Sequence, residues 1–242
     1  TTADTVDANP GDGIYKDVDG NTSLRTAIIE ANQSATPVTL ALPAGNFKLT
    51  IAGVNENSSL TGDLDITGDI TIIGAGADQT TIDADGLDRV FQLVINTGAR
   101  LNLHGLTVTG GNTSETTDAY GGGVFNDGGD VSISFSHLTE NYGKYLGYVI
   151  MNARNGTTTI LNSAVTRNSA PIDSYPYGAI HNHHGVLNIE NTTISDNLRT
   201  GVTGPWGGLT GVYNLNHVTI VDNGQPSEVM SAEVEVSMHT TF

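Results

Sequence analysis

Gly-Gly-Gly-Val-Phe-Asn (121–126), Val-Ser-Ile (131–133) and Ser-His-Leu-Thr-Glu-Asn (136–141) form a pattern that the chain then repeats. The next copy reads Tyr-Val-Ile-Met-Asn (148–152), Thr-Thr-Ile (158–160) and Ser-Ala-Val-Thr-Arg-Asn (163–168). A third reads Tyr-Gly-Ala-Ile-His-Asn (177–182), Leu-Asn-Ile (187–189) and Thr-Thr-Ile-Ser-Asp-Asn (192–197), and a degenerate fourth runs from Gly211 to Asn223. Ile133, Ile160, Ile189 and Leu215 step by 27, 29 and 26 residues, and so do Asn141, Asn168, Asn197 and Asn223. Periods of this size belong to solenoids, propellers and arrays. Each unit holds short alternating strands broken by Gly, Asn and Asp, without a helical period. It is too short for a propeller blade, which takes about 40 residues. The expectation is an all-β parallel β-helix.

Outward from the repeat, Leu101-Asn-Leu103 and Leu106-Thr-Val-Thr109 already resemble it, and strands begin at Val38. Asp63 to Ile73 alternates, with Leu64, Ile66, Ile70 and Ile72 on one side and Asp63, Asp65, Asp69 and Thr71 on the other. Asn21 to Ala35 is the one helix: Leu24, Ala27, Ile28 and Ala31 fall at i, i+3, i+4 and i+7, with Asn21 or Thr22 as N-cap. It is expected to cover the open end of the first coil. Residues 1–20 read as a solvated acidic loop or short strand, 38–226 as about seven coils making a rod of roughly 35 Å, and 227–242 as a C-terminal strand, all in one domain.

Composition narrows the partners. The 242 residues carry nine Lys+Arg against 26 Asp+Glu, a formal charge of −17. Nucleic acid and anionic lipid need a basic footprint and are excluded as partners. No apolar run is long enough for a membrane span, and the absence of cysteine excludes disulfides. The chain starts at Thr1, as a processed or truncated secreted protein would, so an extracellular or cell-surface location is expected.

Asn21-Thr-Ser-Leu-Arg-Thr-Ala-Ile28, with Leu42-Pro-Ala-Gly45 and Ile72-Ile-Gly-Ala-Gly76, resembles the CSLREA-domain proteins, bacterial surface or secreted proteins with right-handed parallel β-helix repeats. Ser23, Leu24, Arg25, Ala27 and Ile28 match the name motif, while Thr22 stands where it has Cys and Thr26 where it has Glu. The resemblance runs from Thr5 to Asn223. It implies a fold more than an activity, and a missing disulfide that leaves residues 1–20 without a covalent tie to the helix.

Candidate chemistry follows from stacking. Asn141, Asn168, Asn197 and Asn223 should form one amide ladder, and Asn126, Asn152 and Asn182 another. Beside the first row sit Glu140, Arg167, Asp196 and Asp222, read as charge-relieved surface neighbours or as an acidic stripe for Ca²⁺. His181 and His183 would share a strand face, either as a metal pair or as surface and turn histidines. No cofactor is required, and Ca²⁺ is the ion the composition admits. A glycan-cleaving site would draw on Asp196 with Asp222, or on Arg167 or Arg199 near Asp173. Tyr142, Tyr145, Tyr148, Tyr175, Tyr177 and Trp206 would stack on sugars or cover the rod. Val234, Val236, Met238 and Phe242, in the amphipathic last strand, could pair with a neighbouring molecule. The Asn-X-Ser/Thr sequons follow from the abundance of Asn and Thr. The leading expectation is a non-enzymatic structural or adhesive rod able to join end to end. A polysaccharide lyase or glycoside hydrolase is the alternative, and a carbohydrate-binding module the third.

Overall fold

A computed structural model describes residues 1–171, 178–204 and 211–224. Among these described residues, twenty short strands follow a single helix and wind in a fixed order through three parallel sheets. The first sheet (Val38–Ala41 to Val212–Asn216) and the second (Gly45–Lys48 to Thr219–Val221) have seven strands each, and the third (Leu64–Ile66 to Val202–Thr203) has six. The described residues therefore make six full turns and the first two strands of a seventh, a parallel β-solenoid. Six steps at the strand spacing give a described stack of about 29 Å.

Register is strict. Leu103, Ile133, Ile160, Ile189 and Leu215 stand opposite one another in successive strands of the first sheet. Ile133 and Ile160 are fully buried and Ile189 nearly so. Period-2 alternation turns one side of each strand to this core, and the 27-residue period brings the same side back one strand further along the axis. The stretch from Asp63 to Ile73 is two strands, not one. Leu64–Ile66 belongs to the third sheet and Asp69–Ile73 to the first, with the corner at Thr67-Gly68.

Corners are repeated as well as strands. Gly105, Phe135, Asn162, Asn191 and His217 hold positive φ at the corner between the first and second sheets. Gly110, Glu140, Arg167, Asp196 and Asp222 do so at the corner that follows the second. The Gly121–Gly123 run admits the chain to the third sheet under its neighbour. A Cβ on Gly122 would lie 2.4 Å from the Tyr142 carbonyl oxygen.

The helix is shorter than its periodicity suggested, α1 (Leu24–Ala31), and its N-cap is Ser23 rather than Asn21 or Thr22. The Ser23 hydroxyl accepts from Thr26 N at 3.0 Å, and Thr26 Oγ1 accepts from Ser23 N at 2.8 Å, a reciprocal pair that fixes the start. α1 packs on Leu64–Ile66 and Asp69–Ile73. All eight of its residues are buried, including Arg25 and Glu30, so it is no ordinary amphipathic surface helix. Residues 1–17 contribute to this: they are the largely exposed loop expected, but one tethered to the helix. The Asp4 carboxylate meets Arg25 Nε at 2.7 Å, and the Glu30 carboxylate accepts from the Gly11 and Gly13 amides. Asp17 accepts from the Asn21 amide at 2.8 Å, which holds its carboxyl below the usual range. Among the described residues, no helix is long and apolar enough to cross a membrane.

Candidate functional site

The third sheet differs from the other two in being covered on its outer side. Its outward row reads Asp65, Gln92, Phe125, Met151, His181 and Thr203 in register. Loops leaving the second sheet, 53–62, 112–120 and 142–147, close over this row. Asn55 Oδ1 accepts from the amide and hydroxyl of Thr117 at 2.8 Å each, and Gln92 Nε2 donates to Asn57 Oδ1 at 2.8 Å. Tyr145 N donates to Ala119 O at 3.0 Å. Alternation alone would leave Asp63 and Asp65 in solvent, but beneath this layer they are 2% and 0% exposed.

At one end of the row, two carboxylates share one guanidinium and a third, Asp65, lies buried beside them. Arg89 Nε lies 3.5 Å from Asp63 Oδ2 and 3.6 Å from Asp88 Oδ1. An Arg89 Nη donates to the Asp118 carbonyl at 2.9 Å, and the guanidinium sits 5.2 Å from the centre of the Phe125 ring. Asp65 Oδ2 accepts from Ser59 N at 2.8 Å. Asp65 Oδ1 and Arg89 Nη1 are buried without a hydrogen-bond partner. Burial raises all three acids, Asp65 to about 7 and Asp63 well above its ordinary value, because desolvation disfavours the charged form and the neighbouring acids add repulsion. Burial thus favours the protonated form of each carboxyl in the cluster, and Asp65 titrates near neutral pH, where a general acid or base works.

In the middle of the row, Phe125, Met151 and Ala153 form a small apolar cluster with Tyr120 and Leu146 against it. Tyr145 is 43% exposed, its ring 6.3 Å from Tyr120 and 5.7 Å from Lys144 Nζ. At the far end His181 is buried, not a surface histidine. Its Nδ1 lies 2.9 Å from Thr203 Oγ1 and its ring stacks on His183 at 5.8 Å. Burial, helped by His183, lowers its pKa to about 4, so the imidazole is neutral. Among the described residues, no group of three or more His, Asp or Glu side chains stands in metal-holding geometry.

The other residues singled out from the sequence fall elsewhere. Asp196, Asp222, Glu140 and Arg167 occupy the exposed left-handed corner, where Arg167 Nε is 3.6 Å from Glu140 Oε1. Tyr142 bridges Asn112 and Ser169 as backbone. Tyr148 is buried, and its hydroxyl donates to Arg199 O and accepts from Arg199 N, so it is no sugar platform. Asp173, Tyr175, Tyr177, Trp206, Val234, Val236, Met238 and Phe242 lie outside the described residues. The two asparagine rows are continuous ladders, buried throughout except at half-buried Asn223. Asn141 Nδ2 donates to Asn168 Oδ1 (3.1 Å), Asn168 to Asn197 (2.9 Å) and Asn197 to Asn223 (2.8 Å). Asn126 donates to Asn152 (2.8 Å) and Asn152 to Asn182 (2.7 Å).

Sequence reading passed over Asp88, Arg89, Tyr120 and Phe135, and left Asp63 and Asp65 on a solvent face. The available signal for Arg89 was the scarcity of cations, nine in the whole chain, with one placed directly after Asp88. For Phe135 it was the alignment of the copies, which sets it against Asn162 and Asn191.

No family model matches the chain, and no curated protein matches it. Among solved structures, the pectin methylesterase of Aspergillus niger in deglycosylated form is similar, with a TM-score of 0.42 and 12% identity over 90% of this chain and 88% of that one. The same enzyme in penultimately deglycosylated form gives a TM-score of 0.35 at 12% identity over the same shares.

Proposed function

We propose that this chain is a non-enzymatic structural or adhesive rod of the extracellular space, related in kind to CSLREA-domain surface proteins. The observation that carries the reading is the commitment of buried polar groups to the axis. Two amide ladders run from coil to coil, and Arg25 spends its guanidinium on Asp4 and on the carbonyls of Ser59, Gly62 and Asp63. Such groups stiffen a scaffold. Self-association belongs to the same reading. In the last described coil Val212, Ile220 and Val221 are exposed, and exposed apolar residues on parallel strands favour strand addition. The test is incubation with insoluble and soluble polysaccharides, with and without Ca²⁺, measuring both retention and released products. Retention without products is the expected result, and turnover would overturn it.

A second reading, a polysaccharide lyase or glycoside hydrolase, is favoured by one observation, the buried cluster of Asp63, Asp65, Asp88 and Arg89. These residues are at most 3% exposed, so substrate would reach them only if residues 53–62 moved aside. Turnover that Asp65→Asn abolishes would establish this reading. Turnover that survives Asp65→Asn would place the chemistry elsewhere.

A further inference from the structure

The corner between the first and second sheets carries an open depression of about 520 Å³, lined chiefly by Ala77, Phe135, His137, Asn162, Ala164 and Asn191. It lies apart from the loop-covered row, and no charged side chain lines it.

Phe135 is the anomaly. Its φ is 50°, and it is 55% exposed. The neighbouring coils place Gly105, Asn162, Asn191 and His217 at this corner, and Gly and Asn adopt the left-handed region readily. For a bulky aromatic that conformation costs about 1–2 kcal/mol. Burial does not repay it here, since half the residue faces water. The ring is nevertheless held in place, edge-on to His104 at 5.3 Å and 62°. Strain retained at an exposed aromatic beside a concavity is a mark of a binding position.

The polar groups around it are only partly used. Asn191 Nδ2 donates to Asn162 Oδ1 at 3.3 Å, which leaves the Asn162 amide hydrogens and Asn191 Oδ1 without a partner among the described residues. His137 Nε2 is paired with Thr166 Oγ1 at 2.6 Å, so Nδ1 remains. Burial and the Arg167 charge lower the His137 pKa, so this imidazole is uncharged near pH 7. By contrast, the Ser136 and Ser163 hydroxyls are committed to the Ser134 and Leu161 carbonyls at 2.8 and 2.7 Å. One aromatic face, one amide donor, one carbonyl acceptor and one neutral imidazole nitrogen thus meet in a site with no formal charge, in a chain of net charge −17.

We propose that this depression binds a neutral saccharide. The C–H face of one pyranose ring lies on Phe135, and its hydroxyls exchange hydrogen bonds with the Asn162 amide, Asn191 Oδ1 and His137 Nδ1. A uronate is disfavoured, since no cation lines the site and the surrounding field is acidic. Asn162 and Asn191 follow Phe135 along the axis at strand spacing, about 4.8 Å, so a second sugar unit would continue along the rod. This deepens the adhesive reading above by naming a ligand class.

The experiment is an amide-resolved NMR titration of the full chain with cellohexaose, mannohexaose and xylohexaose, and with hexagalacturonate as the charged comparison. At least one neutral hexasaccharide should shift the resonances of Phe135, Asn162 and Asn191. Phe135→Ala should weaken that binding by about tenfold or more, the loss of one aromatic contact. Phe135→Tyr, which keeps the ring, and Tyr145→Ala, on the other exposed aromatic patch, should bind as the parent does. Phe135→Tyr also separates loss of the site from loss of the fold. The proposal is overturned if no neutral sugar shifts these resonances, if Phe135→Ala binds as tightly as the parent, if Tyr145→Ala loses binding equally, or if hexagalacturonate binds as well. An elongated shape in solution scattering is independent of all these outcomes, so failure here leaves the rod standing.

Discussion

Asn168 shows what one side chain contributes in a stacked fold. It is 1% exposed. Its Nδ2 donates to Leu138 O, Thr166 O and Asn197 Oδ1, while its Oδ1 accepts from both the backbone and side-chain amides of Asn141. Asn168→Ala strands groups on two coils, and leaving buried donors and acceptors unpaired costs about 1–3 kcal/mol each. The expected loss is about 3 kcal/mol in chemical denaturation. Arg167, one residue earlier, should behave oppositely. It holds φ at 56° and makes only an exposed 3.6 Å ion pair. Such a pair contributes under about 1 kcal/mol, so Arg167→Asn should stabilise the fold by about 0.5–1 kcal/mol through relief of left-handed strain. Asp65 gives the pH dependence. Its pKa rises from 3.8 to about 7 on folding, so the folded state binds the proton that the unfolded state releases. Its contribution is complete below pH 4 and is lost as pH rises to 7, at about 1.4 kcal/mol per unit. Stability measured from pH 4 to 7 should fall in the parent relative to Asp65→Asn, and a parallel pair of curves would refute the assignment.

At the scale of elements, α1 is the joint between the arm and the coils. Arg25 is completely buried and binds Asp4 on one side and three carbonyls of residues 59–63 on the other. Arg25→Met removes the cation from a buried pair, which costs about 3–5 kcal/mol. It should make residues 1–17 and 53–62 the first sites of limited proteolysis, and unchanged cleavage would contradict that role. The helix and the coils were legible in the sequence because both are periodic, one in Leu24, Ile28 and Ala31 and the other in Ile133, Ile160 and Ile189. The loop layer over the third sheet was not legible. Residues 53–62 and 112–120 are polar and aperiodic, and nothing in them reports that they fold over Asp63 and Asp65. The candidate site was unreadable for the same reason, since burial by an insertion leaves no pattern in the strand it covers. Phe135 is the intermediate case. Its corner position was written in the repeat, while its conformation was not.

For the whole molecule, the axis decides behaviour. Among the described residues, the last strands of the two seven-stranded sheets are Val212–Asn216 and Thr219–Val221, with Val212 53% and Ile220 46% exposed. If rods join through this edge, apparent mass should rise with concentration in sedimentation, and Ile220→Glu should return it to the monomer value. A mass independent of concentration in the parent would remove self-assembly from the account.

Every site on this molecule depends on residues some 27 positions apart being spatial neighbours. Methyl-labelled isoleucine NOE spectroscopy reads this directly. Contacts should link Ile133 to Ile160 and Ile160 to Ile189 and be absent between Ile133 and Ile189, two strands apart. A cross-peak joining Ile133 directly to Ile189, or none joining either to Ile160, would contradict the solenoid and every site placed on it.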